Sequence, residues 1–198
     1  DQTSLGVVPL DLPELEFETQ GFWIEIPDTV RDQVEIMKLH FMGGIHALEH
    51  AAIGIMPLMV MTDRNDLGGI STPLHSQTGC ATVFVYDGIP GGLGLSEQAF
   101  ETVDRLMEKT LEVIAGCPCE NGCPACVHSP RCGSGNRPID KSAARIILEQ
   151  ILAGVDKSDE NLVRETVVAY STKPAAPTRP IDFGFPVDSA RPDRKSVV

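Results

Sequence analysis

The chain lacks any hydrophobic run long enough to cross a membrane. A bilayer-spanning helix needs roughly 20 consecutive apolar residues, and the longest apolar stretch here, residues 51–61, is interrupted by Gly54 and Pro57. The first residues also lack the charged and then apolar pattern of a secretory signal. We therefore expect no membrane partner and a cytoplasmic location. Because the first residue is Asp1 rather than Met, we also expect the chain to be part of a longer protein.

Basic residues are scarce as well. The chain has 16 Lys and Arg against 28 Asp and Glu, a net charge of −12. Residues 173–198 hold five of the basic and three of the acidic residues, so residues 1–172 carry 11 basic against 25 acidic side chains. Phosphate contacts need a basic surface, so strong nucleic-acid binding by this chain alone is not expected. An acidic module that recruits a basic protein partner is one alternative function.

The sequence contains no nucleotide-hydrolysing motif. The pattern G-x4-G-K-[ST], in which a lysine reaches the phosphates, is absent. The segment DGIPGGLG at residues 87–94 is rich in glycine and precedes a predicted helix, as a phosphate cradle does, but it has neither that lysine nor the G-x-G-x-x-G spacing. A tight connection from a strand to a helix is the favoured interpretation.

The most informative feature is a dense cluster of cysteines. Four of the six fall within CPCENGCPAC at residues 117–126, with the spacing C-x-C-x3-C-x2-C. Four neighbouring thiolates can surround one tetrahedral zinc ion, whereas disulfide frameworks spread their cysteines along the chain. The predicted metal ligands are Cys117, Cys119, Cys123 and Cys126. Cys132 and His128 are candidate substitutes, and an iron–sulfur cluster is the alternative to zinc.

A second candidate site is the segment HALEH at residues 46–50, which matches the H-x-x-E-H pattern of inverted zinc peptidases. On a helix, His46 and His50 share a face beside Glu49, and Asp63 or Asp66 is a candidate third ligand. A zinc metallohydrolase is therefore a second alternative function. Since the flanking segment is almost wholly apolar, we favour two buried histidines that are hydrogen-bonded to the loop of residues 63–66.

Basic side chains follow the cysteine cluster. Arg137, Lys141 and Arg145 recur every four residues on a helix predicted to begin near Pro138, and Arg131 lies close by in sequence. Such a stripe suits the backbone of a nucleic acid, although a run of charge is more often a solvated helix face. Phosphate contact by these four residues is a hypothesis.

The hydrophobic pattern predicts interleaved strands and helices. Strands are expected at residues 22–26, 58–61 and 81–86, and helices from about residue 30, over 45–53, over 96–114 and over 138–152. This order indicates an α/β or α+β class: a mixed sheet with packed helices, and a short four-cysteine loop between two helices. We expect residues 1–155 to form one domain, with the metal loop at 117–132. Residues 156–198 would hold a last strand and a flexible proline-rich tail.

Five segments together carry a family resemblance. They are GFWIEIP at 21–27, HALEH at 46–50, DRNDLGG at 63–69, YDGIPGG at 86–92, and the cysteine block with CG at 132–133. In this order the segments resemble the C-terminal zinc-binding domain of the bacterial mitomycin-repair helicases and their fungal RecQ-like relatives. The resemblance covers about residues 20–152.

The resemblance implies a superfamily 2, ATP-dependent, 3′-to-5′ DNA helicase that acts in DNA repair. Its motor domains, which bind ATP and magnesium, would precede Asp1 in the same chain, and DNA would be its partner. One structural zinc ion would sit on the four cysteines of residues 117–126. No position matches the ATPase residues of the family, so the chain would be an accessory domain that couples the motor to unwinding. The resemblance assigns no role to the H-x-x-E-H segment.

Overall fold

The structure is a computed structural model. It describes residues 16–154 and a short strand at 167–168. Four strands, five α-helices and two short 3-10 helices lie in this part of the chain. In chain order they are β1 (Gly21–Ile26), α1 (Asp28–Ile36), α2 (Phe41–Ile55), the 3-10 helices Met56–Leu58 and Arg64–Asp66, β2 (Leu67–Thr72), β3 (Ala81–Asp87), α3 (Leu95–Phe100), α4 (Val103–Gly116), α5 (Lys141–Gly154) and β4 (Val167–Val168).

The strands form one sheet in the order β2-β3-β1-β4, and each pair is antiparallel. Along β1 every second residue is buried, with Phe22, Ile24 and Ile26 fully enclosed beneath the helices. Such alternation is typical of a sheet that packs one face on a core. The predicted class is confirmed, and antiparallel pairing throughout the described strands narrows it to α+β. The cysteine loop connects α4 to α5, as expected.

Helix α2 lies at the centre of the fold. It runs without a break through Gly43 and Gly44, and 11 of its 15 residues are buried. A Cβ at Gly44 would lie 2.7 Å from Cβ of Ala143 in α5, and a Cβ at Gly69 in β2 would lie 2.8 Å from Cγ of Glu49. Helix α2 therefore touches α5 on one side and β2 on another.

Helix α5 begins at Lys141, so the predicted start near Pro138 is wrong. Asp140 caps the helix, because its Oδ1 accepts a hydrogen bond from the amide of Ala143 at 2.9 Å. Its Oδ2 accepts one from the amide of His40 at 2.8 Å, and its own amide donates to the carbonyl of Gly43 at 3.0 Å. One aspartate thus joins the starts of α2 and α5.

Two further predictions are wrong. Residues 58–61 form no strand, because a 3-10 helix at Met56–Leu58, with Pro57 in its turn, leads into a bend; Leu58 and Met61 are 82% and 100% exposed. The helix expected over residues 96–114 is two helices, since α3 ends at Phe100 and α4 starts at Val103. The proline-rich tail lies outside the described residues, and the boundary at residue 155 stays a prediction.

Candidate metal centre

The sulfurs of the four predicted ligands form one compact cluster. Cys117 Sγ lies 3.6 Å from Cys119 Sγ and 3.5 Å from Cys123 Sγ. Cys126 Sγ lies 3.4 Å from Cys119 Sγ and 3.7 Å from Cys123 Sγ. Around zinc, with sulfur about 2.3 Å from the ion, the edges of a tetrahedron measure about 3.8 Å. None of the six cysteines forms a disulfide. The sulfur positions therefore fit one tetrahedral ion.

Local backbone geometry brings these sulfurs together. The carbonyl of Cys123 accepts hydrogen bonds from the amides of Cys126, Val127 and His128, at 3.0 to 3.2 Å. This tight turn lets the amide of Cys123 donate to Cys126 Sγ at 3.4 Å. Gly122 has a φ of +103°, and a Cβ there would lie 2.5 Å from Cγ2 of Val127. The turn accordingly requires glycine at this position.

Lys141 closes the cluster from α5. Its Nζ donates to the carbonyls of Cys117 and Cys119, both at 2.6 Å, and lies 3.4 Å from Cys119 Sγ. Four thiolates around a divalent cation leave a net negative charge, which the ammonium group offsets at short range. No spacing rule in the sequence predicts this contact, because it depends on how α4 and α5 pack.

The surroundings of the thiols favour ionisation of one sulfur over another. Burial acts against ionisation of Cys119, but hydrogen bonds from the other three thiols and from Lys141 outweigh it and lower the pKa of Cys119 to about 6. Burial raises the pKa of Cys126 to about 12. A bound cation favours the thiolate form of each of its ligands.

Cys132 does not join these four sulfurs. Its Sγ lies 3.4 Å from Nε2 of His46, and one ligand atom each of His46, His50 and Cys132 lies within 4.8 Å of the others. The two imidazole rings are 4.3 Å apart at their centroids. In the part of the chain that the structure describes, this is a second group of metal-ligating side chains, and His128 belongs to neither group.

The hydrogen bonds of the two histidines lead to backbone carbonyls outside the loop of residues 63–66, where they were expected. Nδ1 of His46 lies 2.8 Å from the carbonyl of Pro138, and Nδ1 of His50 lies 2.9 Å from the carbonyl of Val127. Burial lowers the pKa of His50, which favours its neutral ring at pH 7.

The carboxylates that a metallohydrolase would need point elsewhere. Asp63 and Asp66 form a capping box around their own turn. Glu49 faces β2, and burial raises its pKa against the opposing effects of the Ser71 hydroxyl and of His46. Neither group of metal-ligating side chains in the described residues includes one of these carboxylates. The geometry therefore does not support the metallohydrolase alternative.

The basic residues do not form one helical stripe. Arg137 is exposed but precedes α5, and Lys141 is engaged with the metal loop. Arg145 pairs with Glu149 at 2.7 Å, and Arg131 donates to the side chain of Asn65 at 2.8 Å. Phosphate contact by these residues stays a prediction.

The glycine-rich turn after β3 is a strand-to-helix connection. The fully buried carboxylate of Asp87 accepts hydrogen bonds from the amides of Leu93, Leu95 and Ser96, at 2.6, 3.1 and 2.8 Å. These are the donors that a bound phosphate would use. Because these amides already donate to Asp87, the turn stabilises the fold and has no free donors at these positions for a phosphate.

Comparison with known proteins identifies the family of this domain. The family model described as the MrfA Zn-binding domain matches residues 48–127. The archaeal protein MJ1572.1 of Methanocaldococcus jannaschii is 38% identical over 112 residues, which are 55% of this chain and 100% of that protein. The chain belongs to the MrfA zinc-binding domain family.

Larger relatives of this MrfA zinc-binding domain are helicases by name. The ATP-dependent helicase YprA of Bacillus subtilis is 37% identical over 125 residues, 63% of this chain and 16% of YprA. The ATP-dependent helicase HRQ1 of Saccharomyces cerevisiae is 27% identical over 172 residues, 77% of this chain and 15% of HRQ1.

A solved structure agrees with these relatives. The crystal structure of DUF1998 helicase MrfA bound to DNA matches with a TM-score of 0.51 and 31% identity, over 74% of this chain and 19% of that one. The chain thus spans under a fifth of the length of these helicases. Among the described residues, no helix is both long and apolar enough to cross a membrane.

Proposed function

We propose that this chain is the accessory zinc-binding domain of an ATP-dependent, 3′-to-5′ DNA helicase that acts in DNA repair. The support is its family membership, together with relatives that are named ATP-dependent helicases and a similar helicase solved with DNA. The chain spans only 16% of YprA and 15% of HRQ1. ATP, magnesium and hydrolysis would therefore belong to motor domains elsewhere in the same polypeptide.

The observation that carries the proposal is the cluster of four sulfurs at the junction of α4 and α5. One zinc ion on Cys117, Cys119, Cys123 and Cys126 would hold the end of α4 against Lys141 at the start of α5. Because structural zinc binding contributes folding free energy, the ion would keep this junction rigid.

A rigid junction suits a domain that couples ATP hydrolysis to unwinding. The net negative charge of residues 1–172 suits docking on a basic surface of the motor, since like charge would repel DNA. Arg137 is exposed, and its guanidinium group forms none of the hydrogen bonds or ion pairs found among the described residues. If charge reversal at Arg137 left both the DNA affinity of the helicase and its salt dependence unchanged, that contact would be refuted.

The coupling role is tested in the full-length protein with the double variant Cys123→Ser and Cys126→Ser. We expect DNA-stimulated ATP hydrolysis to stay within about twofold of wild type while unwinding falls about tenfold or more, the size of effect that a typical coupling free energy produces. The control is Cys80→Ser, because Cys80 belongs to neither group of metal-ligating side chains.

Two outcomes would contradict the coupling role. One is wild-type unwinding by a folded variant that has lost its zinc. The other is an equal loss of hydrolysis and unwinding, which would mean that the domain supports the motor as a whole.

A further inference from the structure

The group formed by His46, His50 and Cys132 has the dimensions of a metal site. In a tetrahedral zinc site, nitrogen lies about 2.0–2.1 Å and sulfur about 2.3 Å from the ion, so neighbouring nitrogen and sulfur ligands are about 3.6 Å apart. Nε2 of His46 and Sγ of Cys132 are 3.4 Å apart. The ligand atom of His50 lies within 4.8 Å of both.

Both histidines form the second hydrogen bond that is typical of metal-binding histidines. A backbone carbonyl only accepts hydrogen bonds, so Nδ1 of His46 donates to Pro138 and Nδ1 of His50 donates to Val127. In a neutral ring this places the lone pair on Nε2. Metal-binding histidines usually donate their other nitrogen in this way, to a backbone carbonyl or a carboxylate.

The sulfur of Cys132 is positioned by its own loop. It accepts a hydrogen bond from the amide of Asn136 at 3.2 Å and contacts the hydroxyl of Ser134 at 3.1 Å. The amide of Cys123 makes the same kind of contact with Cys126 Sγ in the four-cysteine cluster. The side chain of Asn136 accepts a hydrogen bond from the amide of Ser129 and donates one to its carbonyl, which closes the loop around Cys132.

We propose that His46, His50 and Cys132 bind a second zinc ion, separate from the ion of the four-cysteine cluster. Imidazole and thiolate are the ligands that zinc prefers, and a set of three leaves the fourth tetrahedral position to water or an added ligand. The ion would join α2 to the loop of residues 127–138. The carbonyls at the two ends of this loop, of Val127 and Pro138, already accept hydrogen bonds from the histidines. Since Glu49 faces β2, the site binds metal without the carboxylate of a peptidase.

The test is zinc content per chain in the complete protein. The protein is loaded with zinc under reducing conditions, and unbound zinc is removed. Elemental analysis then gives the number of zinc ions per protein chain. We expect two zinc ions in the wild type and one in each of His50→Asn and Cys132→Ser. The asparagine amide can still donate to the carbonyl of Val127 but offers no equivalent of Nε2. Cys80→Ser is the control and should keep two.

A second measurement needs no variant. X-ray absorption at the zinc edge of the wild-type protein should show nitrogen as well as sulfur in the first coordination shell. Sulfur alone, with one zinc per chain, would overturn the proposal, because only the four-cysteine cluster would then be occupied. Unchanged zinc content in both His50→Asn and Cys132→Ser would also overturn it.

Discussion

At the scale of single residues, buried or half-buried polar side chains position the loops. Asp87 is fully buried at the end of β3 and accepts three amide hydrogen bonds from the turn into α3. Lys141 donates hydrogen bonds to two carbonyls of the metal loop, and Asp140 bonds the amide of His40, just before α2, and that of Ala143 in α5. Each contact spans a loop, so each ties together elements that would otherwise be held only by apolar packing.

Asp87→Asn should lower the free energy of unfolding by about 1–3 kcal/mol, the range for a buried polar group that loses a hydrogen-bond partner. The amide keeps one accepting oxygen and turns an NH2 group toward backbone N–H donors. Urea denaturation measures the change. Asp32→Asn, on the exposed face of α1, is the matched control and should shift stability by less than about 0.5 kcal/mol. Equal midpoints for the two variants would contradict this role of Asp87.

At the scale of elements, the contact between α2 and α5 explains a pair of glycines inside a helix. Glycine weakens an isolated helix, yet α2 continues through Gly43 and Gly44. The absence of a side chain at Gly44 lets Ala143 and Ile147 of α5 approach within 3 Å of the position that a Cβ would take. Close packing between the two helices therefore outweighs local helix propensity at this position.

Gly44→Ala should be destabilising even though alanine is the better helix former. Overpacking against Ala143 costs about 1–3 kcal/mol, which exceeds the gain in helix propensity of about 1 kcal/mol. The control is Gly116→Ala at the end of α4, where no atom beyond the adjoining residues and the helix's own backbone lies within 4 Å of the added Cβ. It should leave the thermal midpoint unchanged or raised. A stabilised Gly44→Ala protein would show that the helices can separate at little cost.

At the scale of the whole molecule, the sheet and helices share one hydrophobic core, while the long connection from α4 to α5 carries most of the cysteines. Few apolar side chains of this connection are buried; Val127 is an exception. We therefore expect the order of this connection to depend on polar contacts and on bound metal.

Removal of metal should loosen this connection before the core. With a strong chelator, amide hydrogen exchange should accelerate across residues 117–138 while β1 and β3 remain protected, because their protection comes from the sheet and its buried face. Added zinc should restore protection and magnesium should not, since thiolates are poor ligands for magnesium. Uniform acceleration over the whole domain would contradict this and show that metal holds the core itself.

Much of this protein could be predicted from local patterns in its sequence. Short runs rich in β-branched and aromatic residues predicted β1 and β3. The spacing of Cys117, Cys119, Cys123 and Cys126 predicted one compact cluster, because ligands only a few residues apart meet through turn geometry alone. The same local logic predicted a helix on which His46 and His50 share a face.

Only the tertiary structure decided which distant groups meet. Lys141 reaches the metal loop, Cys132 lies against His46, and Gly44 admits α5, through contacts that depend on how helices pack rather than on spacing along the chain. The start of α5 was mispredicted for the same reason: Asp140 caps the helix while bonded to His40 in α2. Local spacing determines which ligands meet within one turn, because the chain between them is short. Packing of the core determines which distant loops and charged side chains lie beside those ligands.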